Sequence, residues 1–364
     1  MNKNKSQFES TISVIITIIS LQLLNASSTI VSGEISGQWD TDSVLVVENI
    51  IIPESQSLTI MPGTIIEFQG HYRFDIQGQL LAMGTVMDSI IFTVNDSTGF
   101  SDGNETAGSW GGIRFINTLA DNDSSHIAFC TIQFGKAFGY DPVTAGSGGG
   151  ICVSGFSKLS ITHSKIAHNM AFTGGGIALQ ENSDILISDN IFKNNQGLLA
   201  GGGLYCVTSS PTIINSEFRE NFGSSGGAIS LWYNSNPVLT DLLVHNNSAD
   251  IHAGGIQCSF SSSPHIENTI ITGNSATYGA GMNCREGSSP YIYRTLIANN
   301  HAATSAGGIS FGTDANAILV NVTIAANTAE YWGHAIYIYD SHPMLINSII
   351  WNQSPYEISF SDYM

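Results

Sequence analysis

The sequence predicts an all-β fold, a parallel β-helix or solenoid running from about residue 43 to the end of the chain in rungs of 26 to 27 residues. Three recurrences predict it. An apolar residue following a small pair returns at Ile151, Ile177, Leu204, Ile229, Ile256, Met282, Ile309 and Ile336, at intervals of 26, 27, 25, 27, 26, 27 and 27. An amide keeps step with it at Asn169, Asn195, Asn221, Asn247, Asn274, Asn300, Asn327 and Gln353. Proline returns at Pro211, Pro237, Pro264, Pro290 and Pro343, with Ala317 in its place once. Independent markers in step at this period are the signature of a stacked repeat.

Within each rung the apolar runs are too short for helices, alternate with period two, and are bounded by Gly, Pro, Asn or Ser, so each reads as a strand. One coil alone cannot bury its inward residues. Stacking places like on like and pairs each backbone group with the rung above and below. Eight rungs at about 4.8 Å give a rod of about 38 Å for this part of the chain. Two places after the apolar marker the side chain points inward again, at Val153, Leu179, Cys206, Leu231, Cys258, Cys284, Phe311 and Ile338. Three of the five cysteines thus stand in one core column and read as free thiols. Asp189, Asn215, Asp241, Asn268, Asn321 and Asn347 share one corner, with His163 and Arg294 as exceptions, and read as a structural amide ladder along the axis.

The regular rungs occupy residues 148–364. Before them, residues 33–135 carry the same vocabulary less regularly, as in Ser57 to Thr64 and Gln77 to Thr85. Residues 136–147 read as a loop insertion and Val94 to Ser109 as another; such excursions are where a solenoid places specific contacts. Residues 1–28 read as a secretory signal: basic Lys3 and Lys5, an apolar stretch from Thr11 to Leu24, then Asn25-Ala26-Ser27-Ser28. The apolar stretch is shorter than the roughly 20 residues a membrane helix needs, and no later stretch is long enough. A secreted or cell-surface protein is the expectation. Glu357 to Phe360 opens another rung before Met364, which reads as a C-terminal truncation.

Only 11% of the residues are charged, against 38 glycines and 42% hydrophobics, which fits a folded chain with many turns. Eleven Lys and Arg stand against 29 Asp and Glu, a net charge of −18. That sign repels phosphate backbones and anionic headgroups, so no nucleic-acid partner is expected and cations or neutral sugars are preferred; glycans or a host or neighbouring cell surface are the expected partners.

Gly226-Gly227-Ala228-Ile229, with Phe192-Lys193-Asn194-Asn195 and Phe218-Arg219-Glu220-Asn221, resembles the paired elements of the chlamydial polymorphic membrane protein repeats. More widely, Gly148 to Gln353 resembles the right-handed parallel β-helix proteins of the pectate-lyase-like superfamily. Gly33 to Thr118 looks like the lead-in segment of secreted bacterial surface proteins with such repeats. The resemblance implies a right-handed coil. It does not choose a function, because the superfamily holds lyases, hydrolases, esterases and non-catalytic adhesins.

Positions one and three after each marker point outward and supply the candidate ligand-binding residues: Tyr205, Trp232, Gln257, Asn283, Arg285, Tyr337 and Tyr339. Aromatic rings beside amides on an open sheet suit a glycan, through stacking and directed hydrogen bonds. Catalytic signatures are weak. Paired aspartates of the kind glycoside hydrolysis uses are missing as an Asp-Asp motif, Arg285-Glu286 is the best single acid-base candidate, and no catalytic residue is assigned. No cofactor is predicted. Calcium is the alternative, through Asp96, Asp102 and Glu105 in one loop and Asp121 and Asp123 in the next. The reading is a non-enzymatic β-helix scaffold for adhesion or glycan binding, with a polysaccharide lyase or glycoside hydrolase as the alternative.

Overall fold

The computed structural model describes residues 27–102, 104–138, 146–352 and 354–361. Among these there is no helix, and the strands stack in parallel as a right-handed solenoid of about 12 turns. Right-handedness is the usual outcome when twisted parallel strands are joined by crossovers. Each regular rung has four faces. In the rung beginning at Leu204 they are Leu204–Val207, Thr212–Ile214, Glu217–Arg219 and Phe222–Ser225. No two of these pair with each other. Each pairs instead with its equivalent in the next rung: Leu204 with Ile229, Thr212 with Val238, Glu217 with Leu243, and Phe222 with Ser248. Among the described residues, the second face is a 12-stranded sheet and the fourth an 8-stranded one.

Four faces require four corners, and each corner takes a residue of positive φ. In the same rung these are Thr208 (48°), Asn215 (47°), Glu220 (56°) and Gly226 (68°). The left-handed region is uncommon for side-chain-bearing residues except Asn and Asp, whose short polar side chains tolerate it. This explains the corner column of Asp189, Asn215, Asp241, Asn268, Asn321 and Asn347, all between 47° and 58°. The column is therefore selected by its backbone conformation, although exposed pairs such as Asn215 Nδ2 to Asp189 Oδ1 (2.5 Å) also form.

The continuous buried ladder lies instead in the column that marked the period. Asn195 Nδ2 donates to Asn221 Oδ1 (3.0 Å) and to the Ile166 carbonyl (2.8 Å), while its backbone N–H donates to the same Asn221 Oδ1 (3.0 Å). The same pattern recurs at Asn221, Asn247, Asn274 and Asn300. Every Oδ1 along this run accepts two bonds and every Nδ2 donates at least two, which satisfies an amide with no access to water. At the C-terminal end the acceptor for Asn327 is Asn352 (2.6 Å). This corrects the expectation of Gln353, which lies outside the described residues. A shorter final step of 25 residues brings the neighbouring amide into phase.

Inside the coil the stacked columns form one core. Ile177, Leu204, Ile229 and Ile256 are fully buried, as are Cys206, Cys258 and Cys284 two places after the marker. All five cysteines are free thiols. Phe192 lies over Phe218 with ring centroids 4.3 Å apart and planes within 4°. Each such aliphatic or aromatic side chain contributes about 2 kcal/mol by leaving water.

Two boundaries differ from the expectation. Ser28–Glu34 already pairs in parallel with Ser43–Ile52, and Gly37–Trp39 with Ser57–Ile60, so the solenoid begins before residue 43. Lys136 and Ala137 pair with Met170 and Ala171, and Ser147 bridges Thr173. Both ends of the expected 136–147 insertion thus belong to the coil. The proposed signal up to Ala26 lies outside the described residues.

Asn221→Ala leaves the Asn195 N–H and Nδ2 without their acceptor and is expected to lower unfolding stability by about 3 kcal/mol. Asn215→Gly, at an exposed positive-φ corner, should change it by less than about 1 kcal/mol. Urea denaturation of both variants followed by circular dichroism checks the contrast. Equal losses would remove the distinction between the two columns.

Candidate functional site

In-register stacking carries the position one place after the marker along the whole rod, through Ile51, Asp75, Arg114, Cys152, Ala178, Tyr205, Ser230, Gln257, Asn283, Ser310 and Tyr337. Alternation does place these side chains outside the core. They are nevertheless not on an open sheet. Tyr205 is 7% exposed, Gln257 0% and Asn283 4%, while Trp232, Arg285, Tyr337 and Tyr339 are half-buried.

The fourth face is the cause. Its strands turn back at the Gly-Gly corner and lie against the outer side of the first face. A β-carbon on Gly201 would come within 2.9 Å of Tyr205 Cβ, and one on Gly279 within 2.9 Å of Asn283 Cβ. Ala200 accordingly packs with Tyr205, Ala178 and Cys152 in a small cluster outside the main core, with Trp232 against its edge. The expected row of seven binding residues is thus divided. Tyr205 and Gln257 are packing residues, Gln257 Nε2 donating to Ser259 Oγ (2.6 Å). Trp232 is set among Tyr205, Tyr233 and Phe260, with centroids 5.6 to 6.1 Å away.

The other four come together. Asn283, Arg285, Tyr337 and Tyr339 line a groove of about 320 Å³, completed by His252, Tyr278 and Trp332 from the fourth-face side. Arg285 Nη1 lies 3.0 Å from His252 Nε2, and Arg285 Nε is 3.3 Å from Ser259 Oγ. A guanidinium only donates, so His252 accepts at Nε2 and carries its proton on Nδ1. That nitrogen is enclosed without a partner, as is Asn283 Oδ1. Burial, then the Arg285 charge, holds the His252 pKa down at about 4. The groove therefore offers a neutral imidazole, the Asn283 side chain with its Oδ1 enclosed, one cation and four aromatic rings. No carboxylate is among its lining residues.

A larger cavity of about 640 Å³ opens on the same column near the N-terminal end, walled by His71, Arg73, Asp75, Arg114 and Lys136 among others. Sequence reasoning missed it. The available signal was Gly111-Gly112-Ile113, the same small-small-Ile element, which sets Arg114 in phase with Asn283. Among the described residues no three His, Cys, Asp or Glu side chains are grouped to hold an ion, those of Asp96, Asp102, Glu105, Asp121 and Asp123 included. Among the described residues, too, no helix is long and apolar enough to cross a membrane.

The chain matches the family model described as right handed beta helix region over residues 48–293 and 203–363, and it belongs to that family. No curated protein matches its sequence. Among solved structures it is similar to the Streptococcus pneumoniae surface protein and adhesin PfbA, at 12% identity and a TM-score of 0.26, over 88% of this chain and 91% of that one. A likeness of this degree carries no functional inference.

Burial together with nearby cations also lowers His71 to about 4. Both histidines titrate below the ordinary value of 6.5 in the folded chain, so the unfolded chain binds more protons between pH about 6.5 and 4. Stability should fall as the pH drops through that window. Melting temperatures from pH 7 to 4 check this: His71→Gln and His252→Gln should each flatten the decline.

Proposed function

We propose that this protein is an exported, non-enzymatic β-helix scaffold whose groove at Asn283, Arg285, Tyr337 and Tyr339 binds glycans on a cell or matrix surface. The observation carrying the reading is the composition of that groove: four aromatic rings, the Asn283 side chain and an arginine that pairs with Glu286 (3.7 Å), with no carboxylate among the lining residues. Ring faces stack on the apolar faces of sugars, and the Asn283 amide and Arg285 supply directed hydrogen bonds. Hydrolysis of a glycosidic bond ordinarily needs two carboxyl groups about 5 to 10 Å apart, and the groove offers no such pair. The basic N-terminal residues followed by an apolar stretch support export.

The rival is a polysaccharide lyase or hydrolase. A glycan array read beside a depolymerisation assay on neutral and acidic polysaccharides separates the two. Binding without cleavage is the expected result, and Tyr337→Ala and Asn283→Ala should each weaken binding about tenfold while the melting temperature holds. Cleavage would install the rival, and silence in both assays would leave a purely structural stalk.

A further inference from the structure

The chain carries eleven Lys and Arg against 29 acidic residues, yet three of those eleven, Arg73, Arg114 and Lys136, line one cavity. Its single lining carboxylate is Asp75, which lies 3.5 Å from Arg73 Nη2. Counting Arg73, Arg114 and Lys136 against Asp75, the lining has a net formal charge of +2, in a molecule of net charge −18.

Arg114 is the built element. It is 4% exposed and fixed from two sides, Nε donating to the Gly111 carbonyl (2.7 Å) and Nη1 to the Ser147 carbonyl (2.5 Å). Among the described residues it makes no ion pair with a carboxylate. Besides the two carbonyls it meets the Cys152 side chain, and Asp75 is the nearby carboxylate whose charge acts on it. A buried guanidinium without a direct ion pair is costly, and an anion in the cavity would offset that cost. Lys136 is positioned by a different part of the chain. Its Nζ donates to the carbonyls of Asn104 (3.0 Å) and Ala107 (3.1 Å) and stands 4.8 Å from the centre of the Phe100 ring. The loop between Val94 and Ser109, read from sequence as a candidate calcium site, thus presents carbonyls to a lysine. Burial first, and then the same three cations, hold the pKa of His71 in this cavity down at about 4.

We infer that this cavity is an oxyanion site that takes the carboxylate or sulfate group of a hydroxylated ligand. Arg114, pre-oriented by its two carbonyls, and Arg73 at the mouth provide the forked donors that match a planar or tetrahedral oxyanion. The neutral part of the lining, Asn49, Gln77 and Asn117, together with Asp75, supplies partners for hydroxyl groups. A free dianion such as phosphate would gain less, because Asp75 opposes the second charge. The volume of about 640 Å³ holds one or two sugar rings. Between this site and Asn283 lie six rung steps, roughly 29 Å, so it is separate from the groove and independent of the function assigned there.

Isothermal titration of the whole chain with glucuronate, glucose 6-sulfate, inorganic sulfate and glucose tests the site. The two charged sugars should bind, glucose should not, and inorganic sulfate should bind at least about tenfold more weakly than the sulfated sugar. Arg73→Gln, at a side chain more than half exposed, should weaken the charged sugars about tenfold without altering the fold. Arg114→Lys, which keeps the charge and loses the fork, should do so as well, with the melting temperature as control. Tyr337→Ala in the distant groove should leave these affinities unchanged. Glucose binding as tightly as glucuronate, or no binding by any probe, would overturn the proposal, as would an unchanged affinity in Arg73→Gln. Sulfate equal to its sugar ester would overturn the hydroxylated-ligand part.

Discussion

Everything in this rod depends on one requirement: each inward side chain must be covered along the axis by its equivalents in the rungs above and below. An Ile column satisfies this by contact, and three cysteines can share a column with Leu and Phe because a buried thiol packs as a small hydrophobe. An amide satisfies it only if every rung supplies the same amide in the same place. Asn195 needs Asn221, which needs Asn247, and the chain of dependence continues to Asn352.

The second constraint is the fourth face. By folding back against the first, it converts an outer sheet surface into the floor of a corner. Where small residues such as Ala178 and Ala200 occupy that corner it is packed closed. Near the two ends larger or charged residues leave it open, giving the aromatic groove around Asn283 and the cationic cavity around Arg114. The scaffold and its surfaces are thus products of the same repeat, differing only in which residue fills one column.

Much of the architecture was legible in the sequence, since the period, the inward columns and the corner positions depend on neighbours two residues or one rung away, whereas the left-handed backbone that selects Asn and Asp at one corner was seen only in the structure. The candidate site was legible only in part. Asn283, Arg285, Tyr337 and Tyr339 do meet, but their partners His252, Tyr278 and Trp332 come from the fourth face. Nothing in the alternation of the first-face strands tells that another face lies over their outer side, which is why Tyr205 and Gln257 read as exposed.

By itself the sequence determined the coil: 26- to 27-residue rungs, parallel stacking, core columns and free cysteines follow from periodicity and the need to bury or pair each inward group. Only the tertiary structure decided which outward residues water or a ligand can reach. It also decided that Arg73, Arg114 and Lys136, spread over more than sixty residues of irregular rungs, share one cavity. Accessibility and charge density depend on how faces fold over one another and on the register of unequal rungs, and neither quantity is local in the chain.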